Sequence, residues 1–468
     1  MRISVSRQEI VSEIKGLLSL GLPITVTQLL QVGYTTAAVI MTGRVGATEL
    51  AAVGLGATLS IFVYLGCMGL LLALSPIIAQ HQGAGHAAGI RRSFQQGLWL
   101  ALIVGLFGWW LLGHISAITR LMQVDANVIP LVEDYLEVAA WGMPPTCIYF
   151  VFRFLCEGTG HSRPMMIVQL FLLPLAVFLN WVLIFGNFGS PVLGVRGAAL
   201  SSTVCLTLSA VCMGGYLLKA ARFQHLFLFR KIGFPDLGEI SRTVRLGLPI
   251  AVSLVLDSGF FSVLSLVMGQ LGGIALAAHQ VAINYATLVY MIPVGLSSAT
   301  MVRVGQSIGR RQVAEARFRG CLGIVTVVVL LIPFSILVAL APEFVIHIYT
   351  RDSAVVPVAG MLLAVAVGFI VMDGVKIVGE GALRGLKEMT SPMVISALSI
   401  WLVGFPAAWL LGIYWDVGPV GLWYGMVLGM AVAAMLMSVR FLTRANQRLR
   451  SPVVAKNGNS NPDSPVNG

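Results

Sequence analysis

The sequence predicts an all-α polytopic membrane protein, with twelve transmembrane helices in two pseudo-symmetric six-helix lobes around a central cavity. Three observations predict it. Of 468 residues, 57% are hydrophobic and only 10% charged, with a mean hydropathy of +0.89. No water-soluble domain of this size can hide that much apolar surface, so lipid must solvate most of it. Divided at its charges, prolines and glycines, the chain falls into twelve apolar segments, each near the roughly 20 residues that cross a bilayer. Finally, residues 21–56 and 247–282 are two copies of one stretch. A shift of 226 positions without a gap makes 12 of 36 positions identical, pairing Gly21 with Gly247, Pro23 with Pro249 and Gly43 with Gly269.

The spans follow in order. The first (17–42) starts beyond Lys15 and holds the first GLPI; it is too long, and lacks the small-residue site, to be a cleaved signal peptide. Spans 50–79 and 94–118 flank Arg91 and Arg92, and 128–155 and 164–187 flank Arg163. Span 193–219 ends on Lys219. The basic stretch 220–243 follows, and 244–269 then opens with the second GLPI. Spans 275–303, 318–345, 355–381, 391–414 and 418–441 complete the second half. All must be helices, because hydrocarbon offers no partner to an unpaired amide or carbonyl. Residues 1–219 are the expected N-lobe, 220–243 a cytoplasmic linker, 244–445 the C-lobe and 446–468 a disordered cytoplasmic tail rich in Pro, Asn, Ser and Gly.

Lys and Arg set the orientation. Twenty-five fall at the N-terminus, the even-numbered gaps and the tail; Arg44, Arg120, Arg196 and Arg351 fall on the other side, and Lys376 lies inside a span. Both termini and the linker are therefore expected in the cytoplasm, and the formal charge of +11 reflects topology, not nucleic-acid binding. With an even number of spans per half, the copies are parallel, which implies a two-fold axis along the membrane normal, as in secondary transporters with parallel repeats. The six cysteines lie in or beside apolar segments with no metal-binding spacing and read as core residues.

Ionisable groups inside spans are costly and mark ion or substrate paths. Asp257 sits midway along the seventh span, where the first copy has Gln31, and reads as a lone carboxylate that takes up a proton or coordinates Na⁺. In the tenth span, Asp373, Lys376 and Glu380 share one helical face at i, i+3 and i+7. Lys376 either competes for Asp373 or snorkels toward Glu380. Gln28, Gln31 and Thr35 form a polar stripe in the first span, Asn180 is polar in the fifth, and His279, Gln280 and Asn284 lie close together in the eighth. These are cavity-lining candidates, with His279 a structural hydrogen bonder.

Beyond these residues, the sequence resembles the multidrug and toxic compound extrusion (MATE) family, and most its bacterial NorM-type branch. The resemblance rests on GLPI with MTGRVGATELAAVG, EGTGHSRPMM, FGNFGSPVLGVRG, AAHQVAINY with RVGQSIG, and GALRGLKEMTSP. It implies a monomeric antiporter of the bacterial inner membrane that exports organic cations or other amphiphiles in exchange for H⁺ or Na⁺, with no cofactor and no catalytic residues. By the same resemblance Asp257 and Asp373 belong to a C-lobe cation site, which would hold the metal if Na⁺ is the coupling ion. Gln280, Asn284 and Asn180 match polar positions near the substrate, and Asp352 an outer-loop carboxylate. Two departures stand out: Ala38 replaces the usual first-span aspartate, and Lys376 an uncharged residue. Alternatives are a dedicated exporter of one metabolite, such as a siderophore or antibiotic, and a lipid-linked precursor flippase. An intramembrane enzyme would need a nucleophile–base or metal pattern, and the sequence offers none.

Overall fold

A computed structural model describes residues 6–121, 127–230 and 233–450, and every regular element in them is a helix. We number the long helices α1 (Arg7–Thr42), α2 (Ala47–Gly83), α3 (Ala87–Leu121), α4 (Ile129–Trp141 with Met143–Gly158), α5 (Arg163–Phe185) and α6 (Gly194–Lys219). The second half continues with α7 (Leu237–Gln270), α8 (Gly273–Gly309), α9 (Val313–Leu340), α10 (Val355–Gly385), α11 (Thr390–Tyr414) and α12 (Pro419–Arg450). All twelve are long and apolar enough to span a bilayer when the two arms of α4, bent by 45°, count as one. The bend falls where Gly142 meets Pro144 and Pro145, which cannot donate backbone hydrogen bonds. The helices overrun the expected spans. α7 begins at Leu237, not near residue 244, because Asp236 caps it through the amides of Gly238 and Glu239. Of the tail expected to be disordered, residues 446–450 instead continue α12 as helix, and 451–468 lie outside the described residues.

Each half packs around its own core. One gathers Leu71, Phe94, Tyr149, Phe150 and Met213 on α2 to α6; the other gathers Leu331, Leu363, Phe369, Trp423 and Met430 on α9 to α12. The halves meet where α1 crosses α8 and α2 crosses α7, and the contacts there obey the 226-residue repeat. Gly21 lies against Gly295, and Gly247 against Leu70; Gly295 lies against Thr25, and Gly69 against Ala251; Gly83 lies against Gln306, and Gly309 against Gln80. Each contact is the two-fold image of its partner, so the internal sequence repeat is a spatial one. A Cβ on Gly83 or Gly309 would overlap the facing backbone, so only glycine allows these helices to approach so closely. All three pairs lie in the half of the helices that carries both ends of the chain. An ion-pair network clasps the same end: Glu13 of α1 binds Arg303 of α8 and lies 3.2 Å from Arg319 of α9.

Candidate functional site

The charge cluster forms where α7 faces α10. Asp257 projects from the middle of α7, four residues after the buried Ser253, and Asp373 and Lys376 project from α10 in the interior of the C-lobe. Lys376 Nζ donates to Asp257 Oδ2 at 2.6 Å and lies 4.0 Å from Asp373 Oδ1. Lys376 is 2% exposed and Asp373 5%, whereas the Asp257 side chain keeps 17%. Asp257 Oδ1 is itself buried and accepts no hydrogen bond. Tyr290 of α8 lies within electrostatic reach of both aspartates.

This geometry corrects two expectations. Asp257 is not a lone charge compensated only by a mobile cation, because a fixed ammonium neutralises it. Lys376 does not snorkel toward Glu380, which Arg384 engages one turn further on, at 2.5 Å. A buried lysine stays charged only beside carboxylates, and two of them converge on it here.

The N-lobe holds a related arrangement that the sequence reading missed. Arg153, counted there among the cytoplasmic charges, is 3% exposed inside α4 and pairs with the fully buried Glu157 at 2.7 Å. Its other face donates to Gln28 of α1 at 2.8 Å. Shifting α4 onto α10 by 223 positions places Arg153 on Lys376 and Glu157 on Glu380, and Tyr64 of α2 matches Tyr290 of α8 at the 226-residue shift. The repeated cation–xxx–Glu spacing was the signal available in the sequence.

The polar candidates are dispersed. Gln31 and Asn180 are partly and fully buried, with Gln31 Nε2 and Asn180 Oδ1 unpartnered. Gln280 and Asn284 occupy one exposed face of α8, joined only by Asn284 Nδ2 donating to the Gln280 carbonyl at 2.7 Å. His279 points the other way, into the core. Trp423 Nε1 donates to its Nδ1 at 3.2 Å, which leaves Nε2 to carry the proton toward Ser265 Oγ at 3.1 Å, so it is held as a neutral structural residue. Asp352 is exposed and its carboxylate caps the amide of Ala354 at 2.9 Å. Ala38, where the family's first-span acid was expected, is a buried core residue. Among the described residues no three His, Cys, Asp or Glu side chains are placed to hold a metal ion.

Twelve helices in two symmetry-related lobes, with a largely buried charge cluster inside one of them, define a polytopic membrane transporter. The MatE family model matches twice, over residues 23–182 and 249–410, and its two starts are 226 positions apart. The chain belongs to the MATE family of multidrug efflux transporters. It is 35% identical to the probable multidrug resistance protein NorM of Rhizobium meliloti (strain 1021), over 91% of this chain and 92% of that one. Identity to the multidrug resistance protein MdtK of Yersinia pseudotuberculosis is 31%, over 92% and 96%. The fold matches the outward-facing structure of a multidrug resistance MATE family transporter with a TM-score of 0.85, at 21% identity, over 94% of this chain and 97% of that one.

Proposed function

We propose that the protein is a cation-coupled antiporter of the bacterial inner membrane, with both termini in the cytoplasm, which exports organic cations, drugs or other amphiphiles by alternating access. The observation that carries this reading is the Asp257–Lys376–Asp373 cluster. Two carboxylates share one ammonium, so the site is one cation short of neutrality, and burial makes that deficit costly unless a mobile cation relieves it. Lys376 occupies the ground between the carboxylates that Na⁺ would need, which favours H⁺ as the coupling ion. Proton arrival on one carboxylate lets Lys376 settle on the other, and this exchange of partners ties α7 to α10 differently in the two states. Gln280, Asn284, Gln31, Asn180 and Asp352 are the proposed substrate contacts. The glycine crossings and the Glu13 clasp shut the cytoplasmic end, which supports an outward-open resting state; a monomer is the proposed transporting unit.

The test is export of a fluorescent organic cation from cells or inverted vesicles, with ΔpH and the Na⁺ gradient dissipated separately. Collapse of ΔpH is expected to stop export, and collapse of the Na⁺ gradient to leave it. The Asp257→Asn variant is expected to insert but to lose gradient-driven export; full activity in that variant would reject the assigned role.

A further inference from the structure

At the end of the molecule that carries the termini, a recess of about 520 Å³ lies between the start of α3 and the chain that connects the lobes. Arg91, Arg92, Gln95, Gln96, Phe227 and Arg230 line it. Its walls are fixed. Gln95 donates to the carbonyls of Leu228 and Arg230 at 2.9 and 3.3 Å, and Gln96 donates to Phe234 and accepts from the Asp236 amide at 2.8 Å. The Trp99 indole donates to the Gly233 carbonyl at 3.0 Å. Leu226 and Leu228 are buried, and the Phe229 ring packs edge-on against Phe94 at 5.5 Å, so the connection is docked on the N-lobe.

Against that background Phe227 is an anomaly. Its backbone sits at φ 48°, a conformation unfavourable for a residue with a side chain, and it turns a half-exposed phenyl outward between two buried leucines. Further along the same connection, Phe234 is 94% exposed and Leu237 76%. The Arg230 guanidinium lies over the Phe227 ring at 5.5 Å. Among the described residues neither Arg91 nor Arg230 has a carboxylate partner. The acids near by are engaged elsewhere: Asp236 pairs with Arg92 at 2.6 Å, and Glu239 lies between Arg92 at 3.7 Å and Arg242 at 3.6 Å. Charge counting at this end served only to orient the chain, and topology requires neither a cavity nor outward phenylalanines.

We infer that the recess seats the headgroup phosphate of an anionic phospholipid, held by Arg91 and Arg230, with Phe227 and Phe234 entering the acyl boundary beside it. Guanidinium forks match phosphate oxygens, and the Trp99 indole, bonded to the same connecting chain, is of the residue type enriched in the headgroup layer. A solvent phosphate would account for the arginines but not for the phenylalanines. The bound lipid would fasten the lobe connection to the N-lobe during the cycle.

The test uses full-length protein in nanodiscs of phosphatidylcholine with or without phosphatidylglycerol, and native mass spectrometry of the same protein released from them. Phosphatidylglycerol is expected to raise the melting temperature and to survive as a bound adduct. The Arg91→Gln/Arg230→Gln variant should lose both effects, the Arg91→Lys/Arg230→Lys variant should keep most of them, and Phe227→Ser should weaken retention with both arginines in place. Equal adducts in the Gln variant and the wild type would overturn the proposal. So would millimolar inorganic phosphate reproducing the stabilisation in pure phosphatidylcholine, which would make the recess a site for a free anion.

Discussion

In the proposed mechanism coupling turns on Lys376, because its length and charge let one ammonium reach two buried carboxylates. Breaking a buried ion pair by removing one partner costs about 3–5 kcal/mol, whereas removing both is often neutral. Asp257→Asn leaves Lys376 with Asp373 alone, and Lys376→Gln leaves two carboxylates facing each other. Lys376→Gln is therefore expected to melt several degrees below the wild type and Asp257→Asn, which leaves a balanced pair, to melt near it, with the double variant recovering part of the Lys376→Gln loss by removing one of the facing carboxylates. Additive losses in that cycle would mean that the 2.6 Å contact is energetically idle. Function separates the same residues. Lys376→Ala opens the ground between the carboxylates and is expected to make export sensitive to the Na⁺ gradient; unchanged ion dependence would reduce the lysine to scaffolding.

At the scale of elements, backbone contact between helices joins the two lobes. A side chain at Gly83 or Gly309 cannot be absorbed by rotamer changes, since the facing atoms are the carbonyl oxygens of Gln306 and Gln80. Gly83→Val and Gly309→Val are expected to pry the lobes apart at this end and to produce equal defects in export despite lying in different halves of the sequence. A defect in one alone, measured at matched expression, would deny the two-fold relation of these contacts. The loop between α10 and α11 adds a pH-dependent tie. Burial pushes the Glu388 carboxyl up, but hydrogen bonds from Ser391 and Arg440 and the ion pair with Arg444 outweigh it and hold the group below its ordinary value. A carboxylate with a depressed folded-state pKa contributes stability above its unfolded value and loses it as pH falls through the folded one. Glu388→Gln is accordingly expected to lower the melting temperature at neutral pH, with the gap to wild type closing below about pH 4. A gap that persists in acid would assign the loss to packing.

Across the whole molecule, symmetry made much of the architecture legible. Hydropathy alone marked twelve spans, and the paired Gly21 and Gly247 announced a spatial two-fold before any helix was placed. The site was legible only in part, because burial of a charge shows in the sequence when an acid interrupts an apolar run, as Asp257 does, but not when an arginine near a span end turns inward, as Arg153 does. Nor does spacing along α10 show that Lys376 reaches across to α7. Comparing the lobes then gives a quantity that neither lobe gives alone. In the N-lobe the buried charges cancel, Arg153 against Glu157, and Gln31 and Ala38 stand where an acid would tip the balance. In the C-lobe Arg384 cancels Glu380, and Asp257 and Asp373 against Lys376 leave one negative charge. A single proton neutralises the interior, so each cycle should exchange one proton for one substrate molecule. For a singly charged organic cation the exchange moves no net charge. In liposomes reconstituted with the protein, a potassium diffusion potential set with valinomycin at equal pH is expected to drive no net transport of such a substrate, while a pH gradient of the same energy drives it fully. Transport driven by the potential alone would require a second coupling site, and the neutral N-lobe would be the place to search for it.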